Sequence, residues 1–157
     1  MDKPSELVVV LDFGGQYNQL IARRIRDLGV YSEMLPCDTP AETLRWMNPK
    51  GIVFSGGPAN VFEESAPKVD PAIYDMGIPV LGICYGMQLM AHQLGGGVRR
   101  AEKAEYGKTE IRFEPDAKLA KGLAERQQVW MSHGNLVTEL PPGFRADAST
   151  AHTPHAA

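Results

Sequence analysis

At 157 residues the chain is long enough for one domain with its own core and needs no covalent staples. Its 43% hydrophobic and 22% charged content is that of an ordinary soluble globular protein, and a net charge of -3 without basic clusters argues against a nucleic-acid partner. Two cysteines, Cys37 and Cys84, fit a reducing compartment, the cytoplasm, better than a disulfide scaffold. Residues 1–6 are polar and show no signal peptide, and the most apolar stretch, 78–94, is too short and too broken by Pro79, Gly82 and Gly86 to span a membrane.

Residues 7–11, a run of Leu and Val, read as a strand buried on both faces. Tyr17, Leu20, Ile21, Ile25 and Leu28 then recur at helical spacing, with Arg23, Arg24, Arg26 and Asp27 outside and Gly29 suited to end the helix. A second strand follows at 31–35, then a helix at 40–47 opened by Thr39 as N-cap with Pro40 in its first turn. A third strand at 51–55 ends in Gly56-Gly57-Pro58. A helix at 68–76 precedes the apolar run 78–81, and a further helix at 87–94 is stopped by Gly95-Gly96-Gly97.

Alternating strands and helices predict a parallel sheet covered on both faces, with functional residues at the carboxyl ends of the strands. A strand order of 2-1-3-4 would hold the two thiols three strand spacings apart, roughly 14 Å and beyond disulfide reach. Beyond Gly97 the rhythm changes. Short strands at 108–113, 128–131 and 144–148, broken at Pro141-Pro142-Gly143, predict a smaller antiparallel section of the same domain. The expected class is therefore α/β, with one domain over residues 1–157.

The chemistry centres on Gly82-Ile83-Cys84-Tyr85-Gly86. A nucleophile at the apex of a strand–turn–helix, between glycines that avoid steric conflict, is the elbow known from G-x-S-x-G enzymes, here with sulfur. Free amides at the helix start are expected to favour the thiolate of Cys84. Cys37 follows Pro36 at the end of an edge-like strand and reads as inert. An oxyanion formed at a carbonyl under attack needs donors, and the N–H of Tyr85 is one candidate. The Gly56-Gly57 turn is another, although glycines serve ordinary turns equally well.

Four segments together carry a family resemblance: Asp12-Phe13-Gly14-Gly15-Gln16-Tyr17, Ser55-Gly56-Gly57-Pro58, Gly82 to Gln88, and Val129-Trp130-Met131-Ser132-His133-Gly134. In order and spacing the chain resembles the class I glutamine amidotransferases along essentially its whole length. The first and last segments resemble the branch whose ammonia aminates xanthosine monophosphate (XMP) to GMP. The glutaminases that serve carbamoyl phosphate or anthranilate synthesis, a protease or deglycase with a similar elbow, and a non-catalytic regulatory module of the same fold are the alternatives.

The resemblance implies a flavodoxin-like three-layer sandwich and glutamine hydrolysis through a Cys84 thioester. It implies an oxyanion hole from the Gly57 and Tyr85 amides, and glutamine contacts from Gln88, Ser132, Gly134 and Asn135. The family usually carries Asp where this chain has Asn135, which removes a charge there. The implied partner is a synthetase domain or subunit that binds ATP, with Mg, and XMP; no cofactor is expected in this chain, and neither a metal site nor a membrane partner.

The family's catalytic base and acid lie in a His-Pro-Glu motif, and no His-x-Glu occurs in this sequence. His92 is eight residues past Cys84, roughly 12 Å along a helix and too far to take its proton. His133 reads as structural, and His152 or His155 as a displaced base is improbable. The domain is therefore expected to be incomplete at its C-terminal side, binding glutamine weakly and turning it over poorly. Asp12-Phe13-Gly14 lacks the other kinase motifs, Gly95-Gly96-Gly97 ends a helix instead of opening one, and no cysteine–histidine group has zinc spacing.

Overall fold

The computed structural model describes residues 6–157; residues 1–5, the polar lead into the first strand, lie outside them. The chain divides into two compact units, one ending at Met90 and one running from Ala91 to Ala157.

The first unit is built on strands β1 (Leu7–Asp12), β2 (Tyr31–Pro36), β3 (Gly51–Phe54) and β4 (Val80–Gly82). They form one parallel sheet, as the sequence predicts, in the order β2-β1-β3-β4. β1 is central, and Val9, Val10 and Leu11 are wholly buried, which is why its apolar run is continuous and not alternating. Helix α1 (Asn18–Asp27) packs Ala22, Ile21 and Ile25 onto the face made by Val8, Val10 and Val53. Leu20 and Leu28 of the same predicted stripe stay exposed, and Gly29 adopts φ +82° just past the helix end.

Helix α2 (Ala41–Met47) and a 3-10 turn at Pro71–Met76 lie against one another. The turn reaches the opposite sheet face, where the rings of Tyr74 and Phe54 meet edge to face. Two expectations are corrected here. Thr39 does not cap α2; its hydroxyl donates to the Pro36 carbonyl instead. The Ala41 N–H donates to Asp70 Oδ2 and the Ala72 N–H to Asp70 Oδ1, both at 3.0 Å, so one distant carboxylate caps both elements. The segment predicted as a helix at 68–76 is likewise only the short 3-10 turn, started by Asp70-Pro71 and stopped by Gly77 at φ +69°.

β4 leads through Ile83 and Cys84 into helix α3 (Tyr85–Gln93). This turn works only with glycine at its two shoulders. A Cβ on Gly82 would lie 2.6 Å from the Met87 nitrogen, and one on Gly86 would lie 2.4 Å from the Phe54 carbonyl oxygen. The loops after β1 and β3 are equally close, since a Cβ on Gly57 would sit 2.3 Å from the Phe13 carbonyl oxygen. Gly56 differs, because a Cβ there would make ordinary contact with the Cys84 Cβ at 3.6 Å.

The second unit is an antiparallel sheet of β5 (Gly97–Phe113), β6 (Arg126–Glu139) and β7 (Ala148–Ser149) in the order β6-β5-β7. The antiparallel character is as expected, but the strands at 108–113 and 128–131 are parts of two much longer ones. The third, expected at 144–148, is displaced to a two-residue strand. β5 and β6 pair from Gly97↔Glu139 to Arg112↔Arg126, with an irregularity between Arg100 and Glu105. Their outward face mixes charged residues with Tyr106, Gln128, Trp130 and Ser132, so hydrophobic alternation understates their length.

Two outcomes follow for stability. Asp70→Ala removes both caps, and Tm should fall by about 2–4 °C in thermal unfolding. The Ala41 amide, then that of Ala72, holds the Asp70 carboxyl below its ordinary value. The cap should therefore act fully above pH ~4 and fade as the pH falls below that. Gly86→Ala should cost about 3 kcal/mol in urea titration because a backbone oxygen cannot move aside, whereas Gly56→Ala should cost less than about 1 kcal/mol.

Candidate active site

Cys84 has φ +51°, one of two non-glycine residues with positive φ among the described residues. Ile83 N–H donates to the Phe54 carbonyl at 2.9 Å, Gly86 N–H to that of Ser55 at 3.2 Å, and Gln88 N–H to that of Cys84 at 3.0 Å. The sharp turn is thereby fixed to β3 on one side and to α3 on the other. Ser55 links a third element: its buried hydroxyl accepts from Phe13 N–H at 3.0 Å and donates to the Gly56 carbonyl at 3.0 Å. The Phe13 ring stacks obliquely on Tyr85, centroids 5.3 Å apart, and Tyr85 Oη donates to the Pro67 carbonyl at 2.6 Å. The glycine turn after β3 and the cysteine elbow thus form one hydrogen-bonded block at the carboxyl end of the parallel sheet.

Within that block the sulfur is half-buried, not sealed. The expected thiolate is a correction, however. Burial pushes the Cys84 thiol above its ordinary value, and the hydrogen bond from the Tyr85 N–H only partly opposes this. An amide at a helix start stabilises a thiolate only as far as desolvation does not outweigh it. Free Cys84 therefore needs a base. Cys37, also a free thiol, is pushed up by burial and by the carboxylates of Asp38 and Asp12. Gln88, on the first turn of α3 after Cys84, is 4% exposed and so is no solvent-facing helix residue.

Ser132, Gly134 and Asn135 lie in the second unit, on β6, and are strand residues instead of a free loop. Ser132 is exposed opposite Tyr106, and Gly134 keeps a Cβ-sized space 3.3 Å from Tyr106 Oη. Asn135 shares the inward parity of His133 and is buried, so strand alternation separates its side chain from that of Ser132.

His133 forms a pair that motif reading missed. Its Nδ1 lies 2.9 Å from the Asn135 carbonyl oxygen and its Nε2 lies 3.1 Å from Glu105 Oε2. A carbonyl can only accept, so Nδ1 carries hydrogen, and Nε2 is engaged by the carboxylate. Neither nitrogen is left to take a thiol proton, so His133 is a structural residue despite the triad-like pairing. Glu105 carried no sequence signal of its own; only the register that sets it opposite His133 identifies it. Among the described residues, no group of three or more His, Cys, Asp or Glu side chains is arranged to hold a metal ion, and no helix is long and apolar enough to cross a membrane.

The profile of the family described as glutamine amidotransferase class-I matches residues 9–157. Over 151 residues the chain is 60% identical to GMP synthase [glutamine-hydrolyzing] of Lactobacillus acidophilus, covering 96% of this chain and 29% of that protein. It is 59% identical over 157 residues to the protein of the same name in Heliobacterium modesticaldum, covering 100% of this chain and 31% of the relative. The chain thus spans less than a third of the length of these curated relatives. The crystal structure of a Thermoplasma acidophilum protein assigned to GMP synthase superposes with a TM-score of 0.83 at 32% identity, covering 94% of this chain and 74% of that one. A profile matched from residue 9 to residue 157, together with that superposition, decides the matter: the chain belongs to the class-I glutamine amidotransferase family.

Proposed function

We propose that the chain is the glutaminase component of a GMP synthase, with Cys84 as nucleophile. The observation that carries this is the left-handed backbone at Cys84, which projects the sulfur from a glycine-bounded elbow. In the proposed reaction Sγ attacks the side-chain carboxamide carbon of glutamine. The thiol proton passes, through a base, to the departing nitrogen, which leaves as ammonia. Backbone N–H groups of Gly57 and Tyr85 are the donors for the oxyanion. Water then attacks the thioester, yielding glutamate and the free thiol.

Gln88, Ser132, Gly134 and Asn135 are the residues proposed to hold the glutamine head group. A synthetase domain or subunit in the cytoplasm, binding ATP with Mg and XMP, would use the ammonia to make GMP. The 59–60% identity to relatives named for glutamine-hydrolysing GMP synthesis supports this choice of acceptor.

An electrophilic glutamine analogue should inactivate Cys84 saturably, glutamine should protect, and Cys84→Ser should abolish labelling in peptide mass mapping. An adduct on Cys37, or labelling without saturation, overturns the reading. Alkylation of Cys84 by iodoacetamide, which needs no glutamine site, should rise about tenfold per pH unit with a midpoint above the ordinary ~8.5 of a free cysteine. That direction follows from a thiol pushed up by burial; a midpoint near neutrality contradicts it.

A further inference from the structure

Glu105 is a charged side chain in a nearly closed site, 5% exposed, outside the cysteine elbow. It accepts from Thr150 Oγ1 at 2.7 Å, Thr153 Oγ1 at 2.5 Å and His133 Nε2 at 3.1 Å. Burial raises its carboxyl, but the Thr153 and Thr150 hydroxyls and the His133 ring outweigh this and hold it below the ordinary range. The same ring thus bridges the Glu105 carboxylate at Nε2 and the Asn135 carbonyl at Nδ1. The irregularity of β5 between Arg100 and Glu105 resets the register so that Glu105 stands directly opposite His133. Thr150 and Thr153 are themselves locked in a turn, with Thr150 N–H donating to the Thr153 carbonyl at 2.9 Å and Thr153 N–H to Thr150 Oγ1 at 3.0 Å.

We infer that Glu105 is a positioning residue for glutamine: through His133 it sets the backbone of Ser132–Asn135 against the turn at 150–153. The inference rests on the glutaminase reading. His133 points inward, while Ser132 and Gly134, its sequence neighbours, take the other face of β6. The bond from Nδ1 to the Asn135 carbonyl fixes the following peptide from the inner face of β6. A buried polar cluster is a poor means to stability, since apolar residues of the same volume do as well, but it fixes one arrangement against slippage. Three hydrogen bonds converging on one carboxylate, and a fourth from the same ring to the Asn135 carbonyl, point to geometry as its role.

The test uses saturable inactivation of the chain by an electrophilic glutamine analogue, read as a half-saturation concentration and a limiting rate. Glu105→Gln should raise the half-saturation concentration about tenfold and change the limiting rate less than about twofold. Alkylation of Cys84 by iodoacetamide should not change. Adding His133→Gln to Glu105→Gln should produce no further rise, because the two act as one unit. An altered Tm with an unaltered half-saturation concentration overturns the inference, as does full additivity. Should Glu105→Gln fail to fold, Thr153→Val decides, since it keeps the charge and removes one donor: about a threefold rise supports the inference, and no rise overturns it. If the unsubstituted chain is not inactivated saturably, the glutaminase reading itself falls and this inference with it; saturation unaffected by the substitutions sinks the inference alone.

Discussion

A cysteine held at φ +51° adopts a backbone that costs a side-chain-bearing residue roughly 1–2 kcal/mol, and the first unit is organised to keep it there. Three backbone hydrogen bonds bracket the turn, from Ile83, Gly86 and Gln88, and at about 1 kcal/mol net each they offset that strain. The bracket closes only because Gly82 and Gly86 lack a Cβ, so that α3 can start directly against β4 and β3. Strand order matters for the same reason. β3 lies beside β4, which brings the Gly56-Gly57 turn to the elbow, and β1 lies beside β3, which lets Phe13 and Ser55 tie the two loops together.

What this geometry does not provide is charge. A helix N-terminus is often credited with activating a thiol, but here the sulfur loses more by leaving water than it gains from one amide. In the proposed reaction the Tyr85 amide is therefore worth more to an oxyanion than to the resting thiol, because that negative charge arises only during reaction. Proton removal must come from a base. His133 is disqualified by the use of both its ring nitrogens, and His92 by its distance along α3. The elbow positions the Cys84 sulfur and, in the proposed reaction, leaves its activation to another group.

The parts legible in the sequence are those set by local rules. β1 announced itself as an unbroken apolar run, the elbow by two glycines around a cysteine, and the parallel sheet by alternating elements. Thr39 misled because hydroxyl followed by proline is a good local cap signal, and nothing nearby shows that Asp70, 29 residues on from Ala41, supplies the capping oxygens. Asp70-Pro71 was itself a readable start signal for the 3-10 turn. β5 and β6 were under-read because charged residues such as Lys108, Glu110, Arg112 and Arg126 occupy their outer face and pair across it, as Arg126 does with Glu110 at 2.7 Å. Glu105 and His133 are 28 residues apart, and only strand register brings them together.

The two thiols show why a motif outweighs a titration argument. Both are raised by burial, so their resting acidity does not separate nucleophile from bystander. Their neighbours do. Cys37 sits beside Asp38 and within the field of Asp12, and fixed carboxylates oppose any anion formed there, on sulfur or on an attacked carbonyl. Amide hydrogens favour negative charge at both sulfurs, and at Cys84 burial is the largest opposing influence. In the proposed reaction a base removes the Cys84 proton, and the negative charge passes to oxygen as the tetrahedral adduct forms. At Cys37 both steps would run against carboxylates already in place. What surrounds each sulfur once it is charged thus favours Cys84 over Cys37 as the proposed nucleophile.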